Sequence, residues 1–464
     1  MFCNEILNGD EKTLQPGMNM LRDPPNILFI VTDQQQATGM SCAGNPDVNT
    51  PVLDNLAEQG VRFDNAYCTN PLCSPSRASM FTGRMPHEIG TMANGREINP
   101  KFRSLELGNL FKQAGYDCAY GGKWHVPQLS ITEEHGFEKI CGFDDLRLPG
   151  ACHEFLEKPR NNPFLLVACF DNPHNINEHG RTDTLPWGAI DSAPQNEWPN
   201  LPPNFKSGPF EPEMITLFAS NNPRIQRRIA FSEEDWRLYR YGYCRLIEKV
   251  DQQIGQILSS LKTLNLEENT IVVFTSDHGE MAGSHELSNK MVLYEESIKV
   301  PFIIKTPQAQ KPGRINDNLV STGLDLLPTL CDFANIPAPD GLSGKSLAPF
   351  LSDEHPDNWR NQLVIQSQFV DQSYGITGRA LIKDQYKYAV YSDGQNREQV
   401  FDLKKDPYEQ VNLAKESRYS EILNNYRQTL YQWLVANKDL FGQHYSHPGQ
   451  PSLPNIPFSE VELS

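Results

Sequence analysis

Asn26-Ile-Leu-Phe-Ile-Val-Thr32 runs without a polar interruption straight into Asp33-Gln34. It is far shorter than the roughly 18 to 20 apolar residues a membrane crossing needs, and it lacks the alternation of a strand with one wet face. The run therefore reads as a strand buried on both sides that delivers an acidic residue at its carboxyl end. Two further segments repeat the pattern: Thr270-Ile-Val-Val-Phe-Thr-Ser276 leads into Asp277-His278, and Pro163 to Phe170 leads into Asp171. Helices fall between them. Pro51 to Gly60 has Thr50 as cap and Gly60 as stop, Arg77 to Thr82 starts another, and Leu105 to Gly115 precedes a strand over Tyr116 to Tyr120. Ser232 opens a long helix with a capping-box-like Asp235; Trp236, Tyr239, Tyr243, Leu246, Val250, Ile254, Ile257, Leu261 and Leu264 keep steps of three or four. Val61 to Tyr67 and Val300 to Lys305 read as further strands. This alternation predicts an α/β domain with a large, mostly parallel sheet between helices. In such sheets functional groups collect beyond the carboxyl strand ends, which is where Asp33, Asp171 and Asp277 all fall.

Asn172 to Arg228 is rich in Pro and Asn with little periodicity, and reads as a loop over the site. After about residue 355 the character changes. Short strands are expected at Leu363 to Phe369, Gly378 to Lys383, Tyr386 to Tyr391 and Gln399 to Leu403, then an amphipathic helix near Ser417 to Asn437. The expected organisation is an N-terminal extension (1–24), a catalytic α/β domain (25–355) and a smaller antiparallel α+β subdomain (356–464).

A chain of 464 residues with a formal net charge of −17 is long enough for a large core and ill suited to nucleic acid, whose binding needs a basic surface. An anionic substrate would need a few Lys, Arg and His residues gathered in one pocket with a metal. The ten cysteines follow no disulfide-like spacing, and most read as reduced core residues. No apolar run is long enough to span a bilayer, so no membrane association is expected. Met1 to Asp23 lacks the basic start and apolar core of a secretory signal, so the chain as given reads as cytoplasmic; a different translation start would allow a periplasmic location.

The sharpest chemical signal is Cys73-Ser-Pro-Ser-Arg77, followed by Ala78-Ser-Met-Phe-Thr-Gly-Arg84. Taken alone, Cys73 is equally a free cysteine of depressed pKa at a helix start. Its place where a turn enters a helix favours an anion there, and Arg77, one turn on, would point back toward it. Asp33-Gln34 and Asp277-His278 form an oxygen-rich pair in which Asp33, Gln34 and Asp277 suit a hard cation. Gly122-Lys-Trp-His125, Asp171-Asn-Pro-His174 and Lys290 add cationic groups after strands or in loops. Singly, each of these is an ordinary cap, turn or solvated side chain.

Together, in order, they resemble the formylglycine-dependent sulfatases, with bacterial glycan sulfatases such as uronate 2-O-sulfatases the nearest in pattern. The likeness runs on through Tyr294-Glu-Glu-Ser297 to Val400-Phe-Asp-Leu-Lys-Lys-Asp-Pro407. The resemblance implies an alkaline phosphatase-like fold and conversion of Cys73 to formylglycine by a maturation enzyme. It implies one calcium ion on Asp33, Gln34, Asp277, His278 and residue 73, and a catalytic set of Cys73, Arg77, Lys123, His125, His174 and Lys290. Gln34 stands where many sulfatases have a second Asp, and His278 where many have Asn. The expected substrate is a sulfated saccharide cut at a chain end, with Asn94, Arg96, Lys158, His179 and Arg181 as rim candidates. Aryl or choline sulfates and phosphonate or phosphate diesters are the alternatives, and a catalytically dead sulfate-binding module is the reading from another class.

Overall fold

The computed structural model describes residues 24–221, 228, 230–307, 311–352, 354, 356–369 and 376–444; residues 1–23 of the expected N-terminal extension lie outside them. Its central sheet has the order β5-β4-β6-β1-β7-β8-β2-β9. The strands are β1 (Asn26–Asp33), β2 (Val61–Phe63), β4 (Asp117–Gly122), β5 (Glu138–Cys141), β6 (Phe164–Pro173), β7 (Thr270–Ser276), β8 (Phe302–Lys305) and β9 (Arg314–Asn316). All pairs are parallel except those made by β8, which runs against both neighbours.

The unbroken apolar runs follow from burial on both faces. In β1, Ile27, Phe29 and Val31 enter one core while Leu28 and Ile30 enter the other. The neighbouring β6 and β7 divide in the same way, with Val167 and Val273 on one side and Leu166 and Val272 on the other. The long helix Glu233–Thr263 is capped as expected: Ser232 Oγ accepts the Asp235 amide at 3.1 Å, and the Ser232 amide donates to Asp235 Oδ2 at 2.8 Å. Its single apolar stripe does two jobs. Val250, Ile254, Ile257 and Leu261 pack onto the sheet with Leu28 and Ile30. Trp236, Tyr239, Tyr243 and Leu246 form a second core with Phe205 and Ala282, and Tyr243 reaches the carboxyl end of β1.

Two expectations change. Val61 to Tyr67 is not one strand: Asp64-Asn65 break it, and β3 (Ala66–Tyr67) pairs instead with β10 (Val320–Ser321). The segment after Asn172 is not structureless, since it holds the helices Ile176–Gly180 and Glu213–Asn221. The helices there are short and lie between irregular Pro- and Asn-containing stretches, which erases any long period.

β11 (Gln362–Phe369), β12 (Ile376–Lys383), β13 (Tyr386–Tyr391) and β14 (Glu398–Asp402) form an antiparallel meander. Leu423, Tyr426, Leu430 and Leu434 of the helix Ser420–Ala436 cover one face. The other face shares a core with Met281 and Met291 to Tyr294 of the α/β part. A buried charge cluster joins the two: Lys387 Nζ lies 3.0 Å from Glu295 and 2.6 Å from Glu409. Nine cysteines fall among the described residues and all are free.

Candidate active site

The helix Cys73–Thr82 begins at Cys73 itself, one turn earlier than Arg77. Leu72 is extended and offers no capping side chain; Asn94 Oδ1 takes the Ser74 amide at 3.0 Å instead. Every residue of this helix is buried, so its first turn and Cys73, 1% exposed, sit inside the molecule. The carboxyl ends of β1, β6 and β7 meet there, as the parallel sheet requires.

Asp33 and Asp277 end neighbouring strands. Gln34 follows with φ 71°, a left-handed turn that directs its amide to Asp277 Oδ1 at 3.1 Å. Arg77 was expected to face the oxyanion. Its guanidinium is committed elsewhere: Nε donates to Asp277 at 2.8 Å, Nη2 to Asp33 at 3.2 Å and Nη1 to the Lys123 carbonyl at 2.7 Å. The planar fork therefore clamps three elements together. Burial alone would raise the Asp33 carboxyl, but Lys123, His174, Lys290 and Arg77 hold it well below the usual range.

Around Cys73 Sγ lie His278 Nε2 at 3.3 Å, Lys290 Nζ at 3.2 Å and Asp33 Oδ1 at 3.8 Å. Burial and Asp33 push the thiol up, yet Lys290, His278 and Lys123 bring it well below its ordinary value. Atoms of Asp33, Cys73, Asp277 and His278 all lie within 4.8 Å of one another, the spread expected for groups about 2.3–2.6 Å from a shared hard cation. His278 Nδ1 faces the Gly279 carbonyl at 3.0 Å, which must receive a proton, so the Nε2 lone pair points into the cluster. Although burial opposes it, Asp277 and the other anions raise the affinity of His278 for positive charge, the attraction a cation would also feel. The donor set fits a divalent metal.

Lys123 Nζ bridges Asp33 at 2.7 Å and Asp171 at 2.9 Å. Asp171 is also near His174 Nδ1, at 3.8 Å. Burial depresses His174, and Lys123 and Lys290 depress it further, although 23% of its side chain reaches solvent. His125 adopts φ 62°, its carbonyl accepts Ser74 Oγ at 2.5 Å, and its buried Nδ1 has no hydrogen-bond partner among the described residues. Asp33, Gln34, Cys73, Arg77, Lys123, Asp277, His278 and Lys290 are thus linked through direct contacts, His174 joins them through Asp171, and His125 adjoins the residue after Cys73.

The rim candidates separate. Asn94 reaches the start of the Cys73 helix. Arg96 is exposed, with no charged partner among the described residues. Lys158 pairs with Glu138 at 3.1 Å, beside the amino ends of β5 and β6, so it lies at the opposite end of the sheet from Asp171. His179 packs its ring against Gly242 of the long helix, where a Cβ would meet it at 2.4 Å. Arg181 is spent on Glu178 and Asp183, each at 2.7 Å.

Several supporting residues carried no recognisable motif. Asp145 accepts the amides of Asp171 and Asn172 at 2.8 and 2.9 Å and so fixes the end of β6; burial and then Asp171 push its carboxyl up to about 8. Trp187 Nε1 donates to Asp171 at 3.0 Å, and its ring meets Phe143 edge-on at 5.5 Å. Lys249 holds that turn through the carbonyls of Trp187, Gly188 and Ala189 at 3.0, 2.7 and 2.9 Å. Glu280 contacts Gln34. These contacts span 16 to 246 residues of sequence, beyond the reach of any local pattern.

Residues 25–336 match the sulfatase family model, and residues 283–436 match that of the N-sulphoglucosamine sulphohydrolase C-terminal region. The chain is 32% identical to an ulvan-active sulfatase of Formosa agariphila, over 94% of this chain and 87% of the relative. It is likewise 32% identical to a Δ4,5-hexuronate-2-O-sulfatase of Bacteroides thetaiotaomicron, over 90% of each. The solved structure of a 2-O GAG sulfatase superposes with a TM-score of 0.82 at 29% identity, covering 94% of this chain and 98% of that one. The phosphonate monoester hydrolase of Agrobacterium radiobacter, at 22% identity and a TM-score of 0.75, shares the fold.

Proposed function

Because this chain belongs to the sulfatase family and is a sulfuric ester hydrolase, we propose that it cuts sulfate from a saccharide, using formylglycine made from Cys73 and one calcium ion. The observation that carries the reading is convergence on one atom: Cys73 Sγ stands where the hydroxyls of a hydrated formylglycine would be, ringed by Lys290, His278 and Asp33. Asp33, Gln34, Asp277, His278 and residue 73 would hold the cation, which lowers repulsion between an ionised hydroxyl and the sulfate.

A hydrated aldehyde carries two hydroxyls on one carbon: one attacks sulfur and expels the sugar alkoxide, and loss of the other's proton then breaks the C–O bond, releasing sulfate and restoring the aldehyde. Arg77 holds Asp33, Asp277 and the Lys123 carbonyl in register. Lys123, His174 and Lys290 offset charge on the sulfate oxygens. His174 or Lys290 protonates the leaving oxygen; the negative charge of a bound sulfate opposes the cations that keep His174 neutral. His125, whose ring nitrogen is uncommitted, takes the proton from the second hydroxyl.

Support for a saccharide comes from the relatives named above, which act on ulvan and on hexuronate 2-O-sulfate. It comes also from Trp187 and Phe143, partly exposed rings beside Asp171 and Lys123 that suit the apolar face of a pyranose. Arg96 and Asn94 remain rim residues in this reading; Lys158, His179 and Arg181 do not. Among the described residues no helix is long and apolar enough to cross a membrane.

The test combines peptide mass spectrometry over residue 73 with sulfate release from a panel: an unsaturated 2-sulfated uronyl disaccharide, a 6-sulfated hexosamine, choline sulfate, an aryl sulfate and an aryl phosphodiester. Formylglycine with turnover of one saccharide is expected. An unmodified thiol in active enzyme would overturn the mechanism, and turnover of the phosphodiester alone would overturn the substrate class.

A further inference from the structure

We infer that Glu280 is a positioning residue that fixes the amide of Gln34 as an oxygen ligand and supplies, one hydrogen bond behind it, the charge that a second aspartate would have carried. The inference rests on the proposal that Gln34 faces a cation. Glu280 is fully buried, and its two oxygens have different work. Oε1 accepts three donors: Tyr239 OH at 2.9 Å, the Ala282 amide at 3.1 Å and the Asn289 amide at 2.8 Å. Oε2 has one partner, Gln34 Nε2 at 2.5 Å.

A carboxylate only accepts, so the Gln34 NH2 must turn toward it. The Gln34 oxygen is then forced the opposite way, where it meets Lys290 Nζ at 2.6 Å and Asn177 Nδ2 at 3.3 Å. Lys290 and Asn177 favour this orientation from the oxygen side and Glu280 from the NH2 side; without Glu280 the half-turn that offers NH2 to a cation, which would repel it, becomes easier. A second observation points the same way. Among the described residues Glu280 makes no ion pair, and a buried carboxylate answered by hydrogen bonds alone is costly unless positive charge lies near. Lys290 Nζ, 2.6 Å from Gln34 Oε1, supplies part of that charge through the polarised amide, and a cation beside the same oxygen would add to it.

The test exchanges the two groups. In E280Q the three donors keep the oxygen of residue 280 in place, so its new NH2 faces Gln34 and turns that amide over. In the double variant Q34E/E280Q the carboxylate moves to position 34 and accepts the new side-chain amide of position 280 with one oxygen, leaving the other for the cation. Calcium binding is measured by titration calorimetry on chelator-stripped protein, with circular dichroism and a thermal midpoint to establish folding. The expected result is a Kd for E280Q weaker by about 10- to 100-fold, with most of that loss regained in the exchange variant. Unchanged affinity in E280Q, or an exchange variant no tighter than E280Q, would overturn the inference while leaving the cation reading intact. Failure of the unmutated protein to take up calcium would overturn both.

Discussion

Replacing Arg77 with lysine keeps the positive charge and removes the fork, which isolates what geometry contributes. The guanidinium makes three bonds at 2.7–3.2 Å, to Asp277, Asp33 and the Lys123 carbonyl, and is 1% exposed. A single ammonium at the end of a lysine cannot span all three; it keeps one carboxylate and leaves the other with less compensation. Charge-assisted hydrogen bonds are worth about 1.5–3 kcal/mol each, and the retained charge offsets part of the loss, so a cost of about 2–3 kcal/mol is expected. If that cost falls on the positions of Asp33 and Asp277 during turnover, kcat/KM drops by about 30- to 150-fold. Sulfate release followed by ion chromatography, with urea unfolding of the same preparations, reads both consequences. R77K within about threefold of the unmutated enzyme, with an unchanged unfolding midpoint, would refute the view that the fork aligns the site.

K387M leaves Glu295 and Glu409 facing each other in the core, and urea unfolding should show a loss of about 3–5 kcal/mol, the cost of breaking a buried pair. His174 predicts an acid-side loss of stability. The unfolded chain protonates it below about pH 6.5, whereas burial with Lys123 and Lys290 keeps it neutral in the fold. Its contribution is therefore present above that pH and lost as pH falls, and H174Q should flatten the slope of unfolding free energy between about pH 6.5 and 5. W187A should raise KM for a sulfated saccharide about 3- to 10-fold while sparing a small acyclic alkyl sulfate; an equal effect on both would show that Trp187 acts only by holding Asp171.

Much of the fold was legible because burial on both faces leaves an unmistakable mark. The β7 run Thr270–Ser276 and the β13 run Tyr386–Tyr391 have the expected limits, and the long helix begins at its Ser232 cap. Boundaries shifted where polar residues sit inside apolar runs, as at Asp64-Asn65, and where short helices lie within the Asn- and Pro-rich segment after Asn172. The choice among charged rim residues was not legible. Lys158 and Arg181 look alike in a list of side chains, but one is carried to the far end of the sheet and the other is neutralised by its own neighbours.

By itself, the sequence determined which chemistry is available. Strands that end in Asp33, Asp171 and Asp277, the Cys73-to-Arg77 motif and the scattered Lys and His residues could be recognised because each is a local pattern. Only the tertiary structure decided which way those groups face. It set Arg77 on the carboxylates of Asp33 and Asp277, set Trp187 on Asp171 and placed Glu280 behind Gln34. The reason is physical: orientation in a buried polar cluster is set by which donor meets which acceptor, and these partners lie on separate strands and loops that only packing brings within hydrogen-bond reach.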